Sequence, residues 1–366
     1  MFRLIRRRLA LALSVGSLAL SLVFPGHAAA VVLFTFDVEM GQGCASGTGP
    51  ASTQLTIKLK SSSGTLQGKA IVTTDGTGDW FTCDFWWEVD PGDTISANDG
   101  SNSRTFTIPS VSFKANRVSD VVSGLAPANS SVNIQVLDCQ DFSCSSAATS
   151  TRSTSASGAF SKDFTAMYNL RGNDRVIVTW TSPNGDTVQA DHEVANLYVT
   201  LGSPDVSGIA NPGGQPTIEL RAANGNLRGS FTDGAGHYYG NFSGVMRNGA
   251  GLSVDALAGN KVIGSFATDA TVNVMDPGLT GNPGTDVISG TCYPNRPFYV
   301  EADDPTYSRS PDWSSYVGVA GANGNFSVDI ATLGHNAGFD LMSGDLLYVE
   351  CRTSKGDILV AFAEVP

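Results

Sequence analysis

The chain has 366 residues and is acidic, with 22 Lys and Arg against 34 Asp and Glu and a net charge of −12. That balance repels phosphate backbones and argues against nucleic acid as a partner. Only 15% of residues are charged while 41% are hydrophobic, which excludes a disordered chain and points to a turn-rich fold with 41 Gly.

Residues 1–30 read as an export signal peptide. Arg3, Arg6, Arg7 and Arg8 form a positive start, Leu9 to Phe24 is apolar, and Ala28-Ala29-Ala30 supplies small residues for cleavage before Val31. The apolar run is short for a membrane span, so no span is expected after cleavage; retention as an N-terminal anchor is the alternative. These 30 residues hold four Arg and no acid, so residues 31–366 carry 18 basic and 34 acidic side chains, a net charge of −16. The chain ends close to an apolar strand without a sorting signal, from which release or non-covalent retention is expected.

After the leader the chain repeats. Ala45-Ser46-Gly47, Val122-Ser123-Gly124, Val206-Ser207-Gly208 and Ile288-Ser289-Gly290 recur with their glycines 77, 84 and 82 residues apart. A fixed period of this size marks a repeated structural unit. It predicts four modules, at residues 31–110, 111–196, 197–270 and 271–366.

In the first module, Leu55, Ile57 and Leu59 alternate as on a half-buried strand. Gly78-Asp79-Trp80 then makes a tight turn into a core aromatic. Alternation from Phe81 to Val89 places Phe81, Cys83, Phe85, Trp87 and Val89 inward. Gly92-Asp93-Thr94-Ile95 opens a further strand, and Thr105 to Ile108 closes the unit. The second module repeats this order with Val132, Ile134 and Val136, then Gly158-Ala159-Phe160, then Asp174 to Val178. Between them, the Ser, Thr and Ala-rich stretch from Ser145 to Ser157 reads as a flexible tract or an O-glycan acceptor. The third module has Ile218 and Leu220, then Gly236-His237-Tyr238. It lacks the Asp-led strand and offers Gly251-Leu252-Ser253-Val254 in its place. The fourth has Phe298 and Val300, Gly324-Asn325-Phe326, Gly344-Asp345-Leu346, and a last strand from Ile358 to Val365. No stretch carries a sustained helical period with caps, so helix should be negligible. Short strands at regular spacing predict an all-β chain of four antiparallel sandwiches, joined end to end as a rod with one core each.

This series of Ser-Gly strand, alternating strand, Gly-x-aromatic hairpin and Gly-Asp strand resembles the bacterial immunoglobulin-like repeats of secreted and surface proteins. The resemblance covers nearly the whole chain after the leader and implies an extracellular scaffold or binding role.

Six cysteines in an exported chain imply three disulfides. Placement favours pairing within modules: Cys44 with Cys83, Cys139 with Cys144, and Cys292 with Cys351. No Cys-x-x-Cys pair or Cys/His cluster indicates a metal. His192, His237 and His335 lie in different modules and outside any nucleophile or metal motif, so neither an enzyme nor a cofactor is expected.

Two places could bind a ligand. In the 81–89 segment, Trp86 is expected to face outward between Asp84 and Glu88, as a sugar-stacking ring beside hydroxyl acceptors; cover by a neighbouring strand or module is the alternative. The stretch from Glu301 to Tyr316 reads as a lengthened loop carrying Asp303, Asp304, Tyr307 and Trp313. Its acids match no defined calcium loop. The expected function is that of a structural or adhesive protein of the cell surface or matrix, with a polysaccharide or another surface protein as partner. The alternative is a carbohydrate-binding accessory protein using Trp86 or the 301–316 loop.

Overall fold

The computed structural model describes residues 34–85, 88–140, 142–211, 215–233, 241–267 and 269–366. The expected export leader, Trp86, Trp87 and the expected turn Gly236-His237-Tyr238 lie outside the described residues. Among the described residues, strands fall into four successive sets of seven. The first holds β1 (Thr35–Glu39), β2 (Ala45–Thr48), β3 (Gln54–Lys60), β4 (Leu66–Thr73), β5 (Asp79–Thr82), β6 (Thr94–Asn98) and β7 (Ser103–Thr107). Next come β8 (Ser112–Asn116), β9 (Val121–Leu125), β10 (Ser131–Asp138), β11 (Ser145–Ser153), β12 (Ala159–Asp163), β13 (Arg175–Thr181) and β14 (Thr187–Glu193). The third set is β15 (Asn196–Thr200), β16 (Asp205–Ile209), β17 (Thr217–Arg221), β18 (Leu227–Thr232), β19 (Asn241–Val245), β20 (Lys261–Gly264) and β21 (Thr271–Asn273). The last is β22 (Thr280–Asn282), β23 (Val287–Thr291), β24 (Pro297–Asp303), β25 (Trp313–Val319), β26 (Asn325–Asp329), β27 (Leu346–Arg352) and β28 (Ile358–Glu364), with a one-turn helix α1 (Ile330–Leu333).

Every set divides the same way. Its first, second and fifth strands form one sheet, and its third, fourth, sixth and seventh form the other in the order 4-3-6-7. This is the immunoglobulin-like division into two facing antiparallel sheets. The alternating residues singled out in the sequence lie on the third strands: Leu55, Ile57, Leu59, Val132, Ile134, Val136, Ile218, Leu220, Phe298 and Val300 are all buried.

The Ser-Gly and Gly-x-aromatic marks turn out to be one device. On the second strand of each set the glycine pairs directly with an aromatic on the fifth: Gly47 with Trp80, Gly124 with Phe160, Gly208 with Phe242 and Gly290 with Phe326. A Cβ on Gly47, Gly124, Gly208 or Gly290 would stand 2.9, 2.8, 2.7 or 2.8 Å from that ring. Glycine therefore leaves the space the ring lies in, the cross-strand arrangement in which an aromatic covers a strand glycine. In the third set the ring is Phe242, four residues beyond the Tyr238 expected from spacing.

The Asp marks close the loop before the sixth strand. Asp93, Asp174 and Asp345 are buried, and each carboxylate accepts the amide three residues earlier, from Asp90, Arg171 and Met342 at 3.1, 2.7 and 2.8 Å. The third set corrects the sequence reading: its sixth strand is Lys261–Gly264, well beyond Gly251–Val254, which forms no strand of the sheets. Asn260 stands in for the acid, accepting the Leu257 amide at 3.1 Å.

Three further expectations are corrected. Phe81 is 67% exposed, because β5 places Trp80 and Thr82 inward and ends at Thr82. The Ser145–Ser157 tract is ordered along its first nine residues, where β11 pairs with β10 across the full strand. The sets are also not separate bodies meeting only at their ends. β1 pairs in parallel with β14, and β15 with β28, so a strand of one set extends the sheet of the next. Unpaired strand edges invite such pairing, which satisfies their amides and carbonyls. Buried apolar residues accordingly form two clusters, one from Phe34 to Val194 and one from Leu197 to Val365, in place of the four cores expected.

The three disulfides link Cys44 to Cys83, Cys139 to Cys144 and Cys292 to Cys351, and leave no free cysteine.

One half-buried histidine gives a pH dependence. His192 on β14 stacks on Phe113 of β8 with centroids 3.8 Å apart, and burial pushes its pKa down. Around pH 6 the unfolded chain therefore binds more of this proton than the folded one, and stability falls as pH drops below about 6.5. Asp174, pushed up to about 6 by burial, works in the opposite direction, so the comparison must be differential. Thermal melts from pH 7.5 to 5 are expected to show a smaller acid-side loss in His192→Gln than in the parent; parallel curves would contradict this.

Candidate functional site

The candidate residues sort into two places. In the first set, Asp84 and Glu88 are exposed just beyond β5, and the Thr82 hydroxyl donates to Asp84 at 3.1 Å. The described residues on either side, 83–85 and 88–90, are not strand; the expected outward placement of Trp86 lies outside the described residues.

The fourth set gathers more. The expected long loop is a hairpin: Glu301 and Asp303 belong to β24, Trp313 and Ser315 to β25, and the connection is residues 304–312. Asp303 pairs with Trp313 and Glu301 with Ser315. The Trp313 ring stacks on His335 at 5.8 Å. Within the connection, Asp304 is buried and fully engaged: it accepts from the Thr306 amide and hydroxyl, the Ser308 amide and hydroxyl, and Arg309 Nε at 3.1 Å. These bonds, the Thr306 hydroxyl first, hold its carboxyl well below the usual range. Arg309 also reaches the Asp345 carboxylate and the Asp340 carbonyl. Asp304 thus shapes the loop and presents Tyr307, which is 71% exposed with φ +53°. Asp304→Ala should remove the acceptor that closes the loop around Thr306 and Ser308, and limited trypsin digestion should then cut faster after Arg309; an unchanged fragment pattern would refute this account of the loop.

Strands β24, β27 and β28 turn Phe298, Val300, Ala302, Leu347, Val349, Cys351, Leu359 and Ala361 inward. Sequence reasoning missed their outward residues, because alternation identifies a strand by its buried face. Registers place them in rows: Asp303, Leu346 and Glu364; Glu301, Tyr348 and Phe362; Tyr299, Glu350 and Val360. Tyr348 lies 6.0 Å from Tyr299 and 5.2 Å from Phe362 between ring centroids. The Tyr299 hydroxyl donates to Glu301 and that of Tyr348 to Glu350. Burial raises the Asp303 pKa, and the nearby Glu301, Asp312, Asp304 and Asp345 raise it further. Burial also raises that of Glu350. At one end of this face, Phe142 from the second set packs against Tyr299, 5.4 Å between centroids, and over the Arg352 guanidinium.

Among the described residues, no helix is long and apolar enough to cross a membrane, and no cluster of three or more His, Cys, Asp or Glu could hold a metal. No family model matches the chain, and no curated protein matches it. Solved structures similar to it include a tetra-tandem repeat from the extending region of a large adhesion protein. That similarity is 17% in identity and covers 91% of this chain and 99% of that one, with a TM-score of 0.18. The BSP domain of a biofilm-associated protein is 9% identical over 94% and 99%, also with a TM-score of 0.18. An Escherichia coli alpha-2-macroglobulin is 10% identical over 92% of this chain and 30% of that chain, with a TM-score of 0.17. At these scores none of the three superposes as a whole. The class rests on the chain's own strand pairing: an all-β protein of tandem immunoglobulin-like sandwiches.

Proposed function

We propose that the chain is an exported structural and adhesive protein of the cell surface or extracellular matrix, built of four immunoglobulin-like modules that present binding surfaces. The observation that carries this reading is the engagement of all six cysteines in disulfides, each within one strand set. Such bonds persist in oxidising compartments outside the cytosol. The leader pattern of residues 1–30 supports the same assignment. The proposal assigns no catalytic residue. Antibody labelling of intact cells and of the medium tests it: surface or medium signal with no free thiols is expected, and recovery only from the cytosol would overturn it.

A second reading, a carbohydrate-binding accessory protein, is favoured by the pairing of Asp303 with Trp313. Its proposed contacts are Asp303, Tyr307 and Trp313 in the fourth set, where Asp304 is spent on shaping the loop, with Asp84, Trp86 and Glu88 in the first. Trp313→Ala is expected to weaken retention on polysaccharide columns at least tenfold, and unchanged retention would remove these contacts from the reading.

A further inference from the structure

The outward face of β24, β27 and β28 combines two properties that select a ligand. It is apolar at the surface: Phe362 is 51% and Leu346 47% exposed, and Tyr348 lies between Phe362 and Tyr299. It is also anionic. Glu301, Asp303 and Glu364 all point outward on these strands, and none makes an ion pair among the described residues, while Glu350 is half-buried beside Arg352. Tyr299 and Tyr348 each give their hydroxyl proton to one carboxylate oxygen, so the remaining carboxylate oxygens keep acceptor capacity. Three carboxylates without an ion pair, set around aromatic rings, call for a cationic occupant that also has an apolar side.

We infer that this face binds a polymer of amino sugars through their free ammonium groups, an inference that rests on the adhesive reading above. A glucosamine unit carries both required parts on one ring. Its C–H face can lie on Tyr348 or Phe362, and its ammonium is placed at the ring edge, toward a carboxylate. The row Glu301, Tyr348, Phe362 provides that juxtaposition, with neighbours one strand spacing apart, about 4.8 Å. The ring quadrupole and the carboxylate both attract the same cation. A neutral sugar would leave the three negative charges unmatched. A lysine-rich peptide would match them but offers no flat apolar ring to cover Phe362 and Leu346.

The test uses the full chain and calorimetric titration with three probes: a fully deacetylated glucosamine hexamer, its fully N-acetylated counterpart, and oligolysine of equal charge. The deacetylated hexamer is expected to bind at least tenfold more tightly than the other two. Glu301→Gln and Phe362→Ala should each weaken it at least tenfold while leaving the thermal transition in place. Glu301→Gln keeps an acceptor for Tyr299, so a loss there reports charge and not misfolding. Equal binding of acetylated and deacetylated hexamers overturns the proposal, as does oligolysine binding more tightly with no response to Phe362→Ala. Absence of binding by any probe overturns it too. Surface location with no hexamer binding would sink this inference alone; hexamer binding by a protein found only in the cytosol would sink the functional assignment alone.

Discussion

Removing the Cys292–Cys351 bond, which closes the longest of the three disulfide loops, by the double change to Ala is expected to lower stability by about 4 kcal/mol. The bond closes 59 residues of sequence separation, which on the chain-entropy account gives roughly that figure. It also joins the two sheets of the fourth set: Cys351 lies inward on β27, and Cys292 comes just after β23 in the facing sheet. The Cys139–Cys144 bond spans only five residues, so its removal should cost about 2 kcal/mol. Calorimetry on the full chain, with both double variants beside the parent, measures this ordering. Equal shifts would show that strain or residual structure, and not loop closure, sets the effect.

Second in size, Gly290→Ala should cost about 2 to 3 kcal/mol, the range for forcing a methyl into a filled core. The new Cβ would stand 2.8 Å from the Phe326 ring and 3.0 Å from the Pro277 carbonyl oxygen. The obstacle is chiefly a side chain, so Phe326→Leu should relieve part of it, and the double variant should be less destabilised than the sum of the singles. Gly124 provides the contrast. There a Cβ would also lie 2.0 Å from the Ser112 carbonyl oxygen of the paired strand β8, which no ring truncation removes. Gly124→Ala with Phe160→Leu should therefore show no relief. Strict additivity at Gly290, or rescue at Gly124, would refute the proposed difference between a ring wall and a backbone wall.

The Ser-Gly and Gly-x-aromatic marks were legible because both ends of the contact recur at nearly fixed spacing. Gly47, Gly124 and Gly290 meet Trp80, Phe160 and Phe326 as their positions in the period imply. The third set was misread because its ring sits at a shifted position and its loop-closing acid is an amide, while the geometry is kept. Phe242 keeps the ring type and follows Gly240 in the sequence but lies four residues past Tyr238, while Asn260 replaces the loop-closing Asp of the other sets. The disulfide pairing was legible from location within units. The coupling of β1 to β14 was not, because Asp37 meets Thr187 across 150 residues and a parallel edge leaves no local pattern. The outward face of the fourth set was hidden for a related reason. Glu301, Tyr348 and Phe362 come from three strands spread over some sixty residues, and each strand was identified by its buried side.

The β15–β28 ladder has a mechanical consequence. These strands run parallel, joined from Tyr198 with Ile358 to Thr200 with Val360. Tension entering through the backbone before residue 196 and leaving after residue 364 would pull them in opposite directions along their length. The bonds between them would then be loaded together in shear, and would not open one at a time as in a zipper. A tether with this geometry would hold its extension under tugging until the whole ladder gave way at once.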